Sequence, residues 1–330
     1  MTEKRNTTGV LLLNLGGPDS LKAVRPFLYN LFSDRLIIKL GPEFLQRPIA
    51  ASIALSRAPK TRAMYQQIGG ASPITRLTLE QANALQTSLG DNFSVYVGMR
   101  YWHPFIEAAV AQAYEDGIQQ LIALSLYPHY SLATTGSAFA ELQNVLKTYP
   151  LPCTYIRSWP QNRLYIDALV KSIVETIGED NHADCHILMS AHGLPVYFIE
   201  NGDPYLDELN KTIDLIKERL PGPTYHLSFQ SRSGPVKWLT PSTEEKILQL
   251  SAEGVRRLIV VAISFVSDHI ETLYEIDILY SHLAKKHDII LKRVRALNTE
   301  PLFIEALKDI INGKDIINGK DIINGADSTM

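Results

Sequence analysis

Acidic side chains recur at helical spacing directly after an apolar strand in the second half of the chain. Residues 258–265 are apolar apart from Ser264, which predicts a buried parallel strand, and Ser267 or Asp268 then provides an N-cap for a helix. At about 100° per residue, four side chains of that helix fall within an arc of roughly 60°: Asp268, Glu271, Glu275 and His282. Carboxylates one turn apart would let a divalent cation pass from one to the next. The alternative is a solvated acidic helix start.

A histidine occupies the corresponding place after another apolar strand. His192 follows residues 187–191 within Ser-Ala-His-Gly-Leu-Pro, and Gly193 permits a tight turn there. Imidazole titrates near neutral pH, which suits a proton acceptor or a metal ligand. A lone histidine is often only a hydrogen-bonded structural residue, but a strand end facing the acidic helix favours a functional role.

The elements that must position these side chains alternate between strand and helix. Strands are predicted at residues 10–15, 93–99 and 121–126, and helices at residues 24–31 and 104–114. A further helix ends the segment 68–89, and the apolar segment 36–55, with Gly41 and two prolines, predicts an exposed lip more than a core helix. This alternation predicts parallel sheets with helices on both faces, and a ligand beyond the carboxyl ends of the strands.

The second half of the chain repeats the first. Residues 10–18 align with 187–195, residues 72–78 with 234–240, and residues 116–126 with 253–263. Leu15 is then the counterpart of His192. Three matches in one order predict two similar Rossmann-like lobes, each a parallel sheet flanked by helices, with a cleft between them.

Composition excludes several classes of protein. The 330 residues are 45% hydrophobic and 20% charged, with a formal net charge of −3 and no basic stripe, which argues against nucleic acid. Two cysteines, Cys153 and Cys185, build neither a disulfide framework nor a cysteine-ligated cluster, and a reducing cytoplasm is expected. No signal peptide is evident and no apolar run approaches the ~18 residues that span a bilayer, while contact with a membrane surface stays open.

Several stretches together resemble the ferrochelatases, which insert ferrous iron into a porphyrin. They run in family order over roughly residues 9–307: LNLGGP, YQQIGGASPI, RYWHPF, YPHYSLATTGS, SAHGLP, GDPY and SDHIETLYEID. The resemblance implies a lobe at 1–150 that carries the active-site lip and a lobe at 151–307 that carries the catalytic residues. After residue 307, KDIING occurs three times, and we expect no function for this 308–330 tail.

The resemblance also implies roles for individual residues. His192 would sit on one face of the porphyrin, as proton acceptor or iron ligand, with Glu271 across the ring and Glu275 continuing the acidic row. Asp268 and His269 match family positions beside this row. The porphyrin-binding positions carried over from the family are Leu15, Arg57, Lys60, Tyr65, Ser72, Tyr127, Trp238 and Phe265.

Departures from the family pattern bear on the substrate. Leu15 stands where some relatives have tyrosine, and this, with the ATTGS stretch, favours protoporphyrin over coproporphyrin. We expect no cofactor beyond substrate iron, no iron–sulfur cluster, and either a monomer or a homodimer in the cytoplasm with membrane association left open. A cobalt or nickel chelatase, or a tetrapyrrole or metal carrier without turnover, is the alternative.

Overall fold

The computed structural model describes residues 8–179, 181–232 and 234–313, and the backbone of residues 317–318. The chain forms two compact units. One contains the described residues up to Trp159 and those from Ile304 onward, and the other spans Pro160–Phe303.

The sheet of the first unit has the strand order β2-β1-β3-β4-β9. Its strands are β1 (Thr8–Asn14), β2 (Phe93–Met99), β3 (Gln120–Ser125), β4 (Cys153–Ile156) and β9 (Ile317–Asn318). The central strand β1 is buried along its whole length and pairs in parallel with β2 and β3, as its continuous apolar run predicts. Among the strands of the described residues in this sheet, only β9 runs antiparallel, at the edge beside β4.

Helices cover both faces of this sheet. They are α1 (Val24–Ser33), α2 (Glu43–Gln67), α3 (Ile74–Leu89), α4 (Ile106–Glu115), a short π-helix (Leu132–Gly136), α5 (Ser137–Val145) and, near the end of the chain, α11 (Pro301–Asn312). Buried side chains of β1, β3, α4 and α5 form one core, centred on Leu11, Val110 and Leu142.

The predicted lip is more regular than its prolines suggested. Although Pro48 and Pro59 interrupt backbone hydrogen bonding, α2 continues for 25 residues. The buried Gln46 side chain supports its start, because Nε2 donates to the carbonyls of Phe32 and Ile38 at 2.8 and 2.9 Å. The prediction of an exposed segment holds for Phe44 and Leu55, which are 78% and 57% exposed, but not for Gln46, which is buried.

The second unit contains a four-stranded parallel sheet with the order β6-β5-β7-β8. Its strands are β5 (His186–His192), β6 (Thr224–Gln230), β7 (Arg257–Ala262) and β8 (Ile290–Arg293). Its helices are α6 (Arg163–Ile177), α7 (Val196–Glu200), α8 (Tyr205–Arg219), α9 (Thr243–Ala252), a ten-residue π-helix (Glu271–Tyr280) and α10 (Ser281–Lys286). Two parallel sheets flanked by helices confirm the predicted fold class.

The repeat in the sequence corresponds to a repeated topology. β2-β1-β3-β4 and β6-β5-β7-β8 have the same order, and β3 and β7 begin at the equivalent residues Gln120 and Arg257. Asn14 pairs with Met99 as Ala191 pairs with Phe229, so Leu15 and His192 occupy equivalent strand ends.

One of the three sequence matches is wrong. Residues 72–78 lead into α3, before β2, whereas residues 234–240 follow β6. The structural counterpart of 234–240 is the segment after β2, since the bridge Met99–Phe105 matches the bridge Phe229–Ser242. The match rested on a small residue, a proline and an aliphatic residue at the same spacing. This pattern is too short to show that two segments are structurally equivalent.

The predicted tail boundary falls inside a helix. α11 extends to Asn312 and so includes most of the first KDIING copy, and β9 lies in the second copy. The remainder of the tail predicted at 308–330 lies outside the described residues.

Candidate active site

The functional side chains of the second unit gather where β5 and β6 end. His192 is the last residue of β5 and pairs with Gln230, the last residue of β6. Ser231 follows at a φ of 64°, a left-handed conformation that costs energy outside glycine, and this turns the chain at the strand end. Carboxyl ends of neighbouring parallel strands share one sheet edge, which is the ligand-binding edge of such folds.

The acidic helix differs from the α-helix that the sequence predicted. Glu271–Tyr280 is a π-helix, and its N-cap, Ile270, makes no side-chain hydrogen bond, so capping by Ser267 or Asp268 was a wrong prediction. The i→i+5 hydrogen bonding of a π-helix brings residues four apart more nearly into line than an α-helix does. Glu271 and Glu275 therefore point at the same group, whereas His282 lies on α10 and is exposed.

His192 and Glu271 are in direct contact. His192 Nδ1 lies 2.8 Å from Glu271 Oε2, and their side chains are 33% and 16% exposed. The expectation that a porphyrin separates these two side chains is therefore wrong, because both belong to the same unit and share a hydrogen bond. The contact leaves Nε2 as the imidazole nitrogen that can meet a substrate.

Backbone contacts fix the position of the imidazole. The His192 N–H donates to Ser264 Oγ at 2.8 Å, and Tyr205 Oη donates to the His192 carbonyl at 2.9 Å. The Phe265 ring lies edge-on to the imidazole with 6.1 Å between centroids. Strand, loop and helix thus hold the histidine in one place.

Glu275 joins the same hydrogen-bonded group through Ser231. Ser231 Oγ lies 2.9 Å from Glu271 Oε2 and 2.6 Å from Glu275 Oε2. Gln230 Nε2 donates to Glu275 Oε2 at 3.1 Å and to the Glu271 carbonyl at 3.0 Å. Because a hydroxyl has one proton, Ser231 can donate to only one carboxylate at a time. The other contact needs a proton on the carboxyl group.

The three titratable groups are shifted in different directions. Burial alone would lower the pKa of His192, but the charge and hydrogen bond of Glu271 and the charge of Glu275 outweigh it and raise that pKa. Burial would raise the pKa of Glu271, whereas the charge and hydrogen bond of His192 lower it to about 2. Burial and the charge of Glu271 raise the pKa of Glu275 to about 7. Glu275 is thus the carboxyl group that can carry a proton near neutral pH.

Asp268 lies outside the acidic row. Its carboxylate accepts hydrogen bonds at 2.9 Å each from Arg293 Nη1, Thr272 Oγ1 and Asn298 Nδ2. Arg293 also donates from Nε and Nη2 to Asp277, at 2.7 and 2.9 Å. The α-helix predicted from the sequence would put Asp268 and Asp277 about 180° apart. That prediction is wrong, because one guanidinium binds both.

His269 has a structural environment. It is buried, its Nδ1 lies 3.0 Å from the Ser267 carbonyl oxygen, and its ring packs edge-on against Phe265. Burial lowers its pKa despite the charge of Glu271. A neutral buried imidazole of this kind supports the loop before the π-helix.

The predicted porphyrin-binding residues of the first unit have different environments. Arg57 and Lys60 are exposed on α2, and the Arg57 guanidinium carbon lies 5.2 Å from the centroid of the Phe32 ring. Tyr65, on the same helix, is only 3% exposed. A propionate could meet the two cations at the surface, whereas the Tyr65 ring is packed inside.

The others lie at strand ends or turns. Leu15 and Tyr127, after β1 and β3, are partly buried, and Ser72 lies in the turn before α3, where its N–H donates to the Pro18 carbonyl at 2.8 Å. A side-chain carbon on Gly17 would come within 2.5 Å of Ser72 Oγ, so glycine is needed for this close approach. In the second unit Trp238 and Phe265 are partly buried, and the Phe265 ring lies edge-on to the His192 ring.

Sequence reasoning missed the polar residues around the carboxylates. Ser231, Gln230, Tyr205 and Ser264 all contact His192, Glu271 or Glu275. Gln230 ends β6 and Ser231 follows it, so predicting a strand at residues 224–230 would have drawn attention to them through the rule that ligands bind at strand ends. Nothing in the local pattern indicates the left-handed turn at Ser231.

No group of three or more His, Cys, Asp or Glu side chains in the described part of the chain is arranged to hold a metal ion. The roles of His192, Glu271 and Glu275 as metal ligands stay a prediction. Across the described residues, no helix has the length and apolar character needed to cross a membrane.

Solved structures with the same fold define a class. SirB from Bacillus subtilis with Fe3+ has a TM-score of 0.58 at 10% identity, covering 93% of this chain and 94% of that chain. DR2241 from Deinococcus radiodurans, a protein with structural similarity to chelatases, has a TM-score of 0.50 at 11% identity, covering 92% of this chain and 55% of that chain. The fold is that of the chelatases.

Sequence relatives identify the family within this class. The profile of the Ferrochelatase family matches residues 7–315. A ferrochelatase of Geotalea uraniireducens is 52% identical over 309 residues, covering 92% of this chain and 97% of the relative. One from Picosynechococcus is 47% identical, covering 92% and 81%. The chain belongs to the ferrochelatase family.

Proposed function

We propose that the chain is a lyase that inserts ferrous iron into a porphyrin, with protoporphyrin IX as the substrate, to form haem and release two protons. The observation that carries the proposal is the hydrogen bond between His192 Nδ1 and Glu271 Oε2 at the strand end of a ferrochelatase-family chain. Metal insertion requires a base that accepts pyrrole protons and a negative charge that attracts the dication. The pair supplies both.

The proton chemistry follows from the geometry. A neutral His192 with its proton on Nδ1 presents Nε2 to a pyrrole N–H, and the adjacent Glu271 carboxylate stabilises the imidazolium that forms. Ser231 links Glu271 to Glu275, whose pKa of about 7 lets it hold a proton that leaves the site. His192 can accept the second pyrrole proton only after Nε2 has lost the first one, because Nε2 is the nitrogen that faces the substrate.

Substrate anchoring is proposed for residues of the first unit. Porphyrin propionates would meet Arg57 and Lys60, which are exposed on α2, and an arginine fork suits a carboxylate. The flat ring would contact the aromatic side chains of Tyr127, Trp238 and Phe265. Leu15, the counterpart of His192 in the first unit, would contribute an apolar contact. Tyr65 and Ser72 would support the anchoring segment.

The protein would need no resident cofactor. Cys153 and Cys185 are not joined in a disulfide, and two cysteines are fewer than an iron–sulfur cluster with four thiolate ligands requires. A peripheral membrane contact through the apolar residues at the start of α2 would give a water-insoluble porphyrin a route to the protein.

An anaerobic assay of the purified chain tests this function. Protoporphyrin IX and coproporphyrin III are each combined with Fe2+, Co2+, Ni2+ or Zn2+, and metalloporphyrin formation is followed by absorbance. We expect iron insertion with the larger kcat/KM for protoporphyrin. Faster turnover with coproporphyrin would change the substrate, preference for cobalt or nickel would change the metal, and porphyrin binding without any insertion would indicate a carrier.

A further inference from the structure

Arg293 is the last residue of β8 and lies outside the hydrogen-bonded group of His192, Glu271 and Glu275. It nevertheless contacts both ends of the segment that carries the two glutamates. Nη1 binds Asp268, three residues before Glu271, and Nε and Nη2 bind Asp277, two residues after Glu275. The Arg293 and Asp268 side chains are 12% and 18% exposed, so their ion pair is shielded from water and salt, whereas Asp277 is 36% exposed and its pair is only partly shielded.

We propose that Arg293 is a positioning residue for metal insertion: it clamps Asp268 and Asp277 and thereby holds the π winding that brings Glu271 and Glu275 together on Ser231. The proposal deepens the proposed function and rests on it. Arg293, Asp268 and Asp277 are called the arginine clamp below.

The π-helical conformation of the Glu271–Tyr280 segment explains why a clamp is needed. π-helices are rare and their hydrogen bonding is poorer than that of an α-helix, so a ten-residue π-helix needs support from its surroundings. Rewinding to an α-helix would turn Asp277 away from the side of Asp268, and one guanidinium could no longer bind both carboxylates. Breaking either ion pair loses charge-assisted hydrogen bonds between the guanidinium and a carboxylate, which opposes the rewinding.

The start of the segment is fixed independently of its end. Asp268 N–H donates to Asn298 Oδ1 at 2.9 Å, and the Asn298 N–H donates to the Val266 carbonyl at 2.8 Å. Asn298 itself has a φ of 44°, in the left-handed region, and its Nδ2 donates to Asp268 Oδ2 at 2.9 Å. With Asp268 held, the two hydrogen bonds to Asp277 are the part of the clamp that acts on the helix.

The consequence for the active site is geometric. Both glutamates reach Ser231 Oγ, at 2.9 and 2.6 Å, only while they lie in line along the helix. A displacement of about 1 Å of a reacting group can cost on the order of 100-fold in rate. The arginine clamp therefore acts on turnover and on metal binding, and much less on porphyrin binding.

The test compares Arg293→Gln with Arg295→Gln. Arg295 is two residues further along and binds Glu175 and Glu300, so it is a matched arginine whose ion pairs do not touch the π-helix. We expect Arg293→Gln to lower kcat by about 10- to 100-fold and raise the metal KM, with porphyrin KM within about twofold of wild type. Arg295→Gln should leave all three constants near wild type.

Two further variants separate positioning from loss of stability. Asp277→Asn removes only the helix end of the clamp and should reproduce the kinetic pattern of Arg293→Gln if the latter folds poorly. In a Glu275→Gln background, Arg293→Gln should cost less than it does alone, because one of the two groups it positions is already changed. Equal constants for Arg293→Gln and Arg295→Gln, or multiplicative losses in the double variant, would overturn the clamp.

Failure of the proposed function would look different. If wild-type protein inserts no metal, the proposed function is wrong, and crystal structures of wild type and Arg293→Gln decide the clamp alone. An α-helical Glu271–Tyr280 segment in the variant, with one glutamate off Ser231, supports the clamp. An unchanged π-helix with both contacts intact rejects it.

Discussion

The pKa values of three neighbouring side chains in this site are shifted in different ways. The pKa of Glu271 is lowered to about 2, that of Glu275 is raised to about 7, and that of His192 is raised by its carboxylate partners. Glu271 thus keeps a fixed negative charge, while Glu275 can exchange a proton near neutral pH and His192 is favoured in its protonated form. Pairs of titratable groups pushed apart in this way mark acid and base roles.

His192→Ala tests the base. We expect insertion to fall by about 100-fold or more, because proton transfer by a positioned side chain contributes on that order. Porphyrin binding, measured by fluorescence titration, should persist, since one imidazole is a small part of a large apolar contact. His287→Ala, at an exposed histidine, is the control. Insertion at the wild-type rate would remove His192 from the chemistry.

The pH dependence of stability tests the state of Glu275. A carboxyl group whose folded pKa of about 7 exceeds its unfolded value of 4.5 binds a proton more readily in the folded state. Between these values the folded state holds more protons, so the free energy of unfolding falls as pH rises through this window. Glu275→Gln removes this loss. We expect the Tm of the variant to exceed that of wild type by a few degrees at pH 8.

The difference in Tm should shrink toward pH 5, where wild-type Glu275 is protonated. Glu218→Gln, on an exposed part of α8, should show no such trend. A Tm difference that does not change with pH would mean that Glu275 is ionised throughout.

Regular elements were predictable from the sequence, and the irregular ones were not. Strand β2 was predicted at its observed bounds, and the equivalence of Leu15 with His192 followed from the internal repeat. The π winding depends on Arg293, which is 25 residues from Asp268 in sequence, so no local periodicity could reveal it. The sequence therefore identified the carboxylates but misjudged which neighbours they face.

The two carboxylates of the π-helix differ in how they contact His192. Glu271 binds His192 directly, so Glu271→Gln should lower turnover by about 100-fold or more. Glu275 reaches His192 only through Ser231 and Glu271, so Glu275→Gln should cost less and act mainly through the metal KM. Steady-state kinetics with varied metal and porphyrin concentrations measure both effects, with Glu218→Gln as the control. Asp277 on the same helix is unsuitable as a control, because its carboxylate binds Arg293. Equal losses for both glutamates would indicate one undifferentiated acidic face.

At the scale of the whole molecule, one topology is used twice with different side chains at the strand ends. β1 ends in Asn14, whose Nδ2 donates to Thr78 Oγ1 at 3.0 Å, and is followed by Leu15, whereas β5 ends in His192. The titratable site thus belongs to the second unit. The first unit instead carries α2, with apolar and basic side chains at its surface.

The surface of α2 predicts binding to anionic membranes. Phe44 and Leu55 are 78% and 57% exposed, and 11 residues place them about 20° apart on the same helical face. Arg47, Arg57 and Lys60 are exposed on the same helix and would attract anionic headgroups. We expect the wild-type protein to co-sediment with vesicles of phosphatidylcholine and phosphatidylglycerol, and less so at high salt.

Phe44→Ser should weaken that binding by about tenfold, since burying one large apolar side chain contributes roughly 1.5–3 kcal/mol. Leu79→Ser provides the control, because Leu79 is 44% exposed on α3, a different helix of the same unit. Equal weakening by both substitutions would indicate general surface adsorption. Sedimentation of wild type that is independent of vesicles would remove α2 as a membrane contact and leave its apolar face to the porphyrin alone.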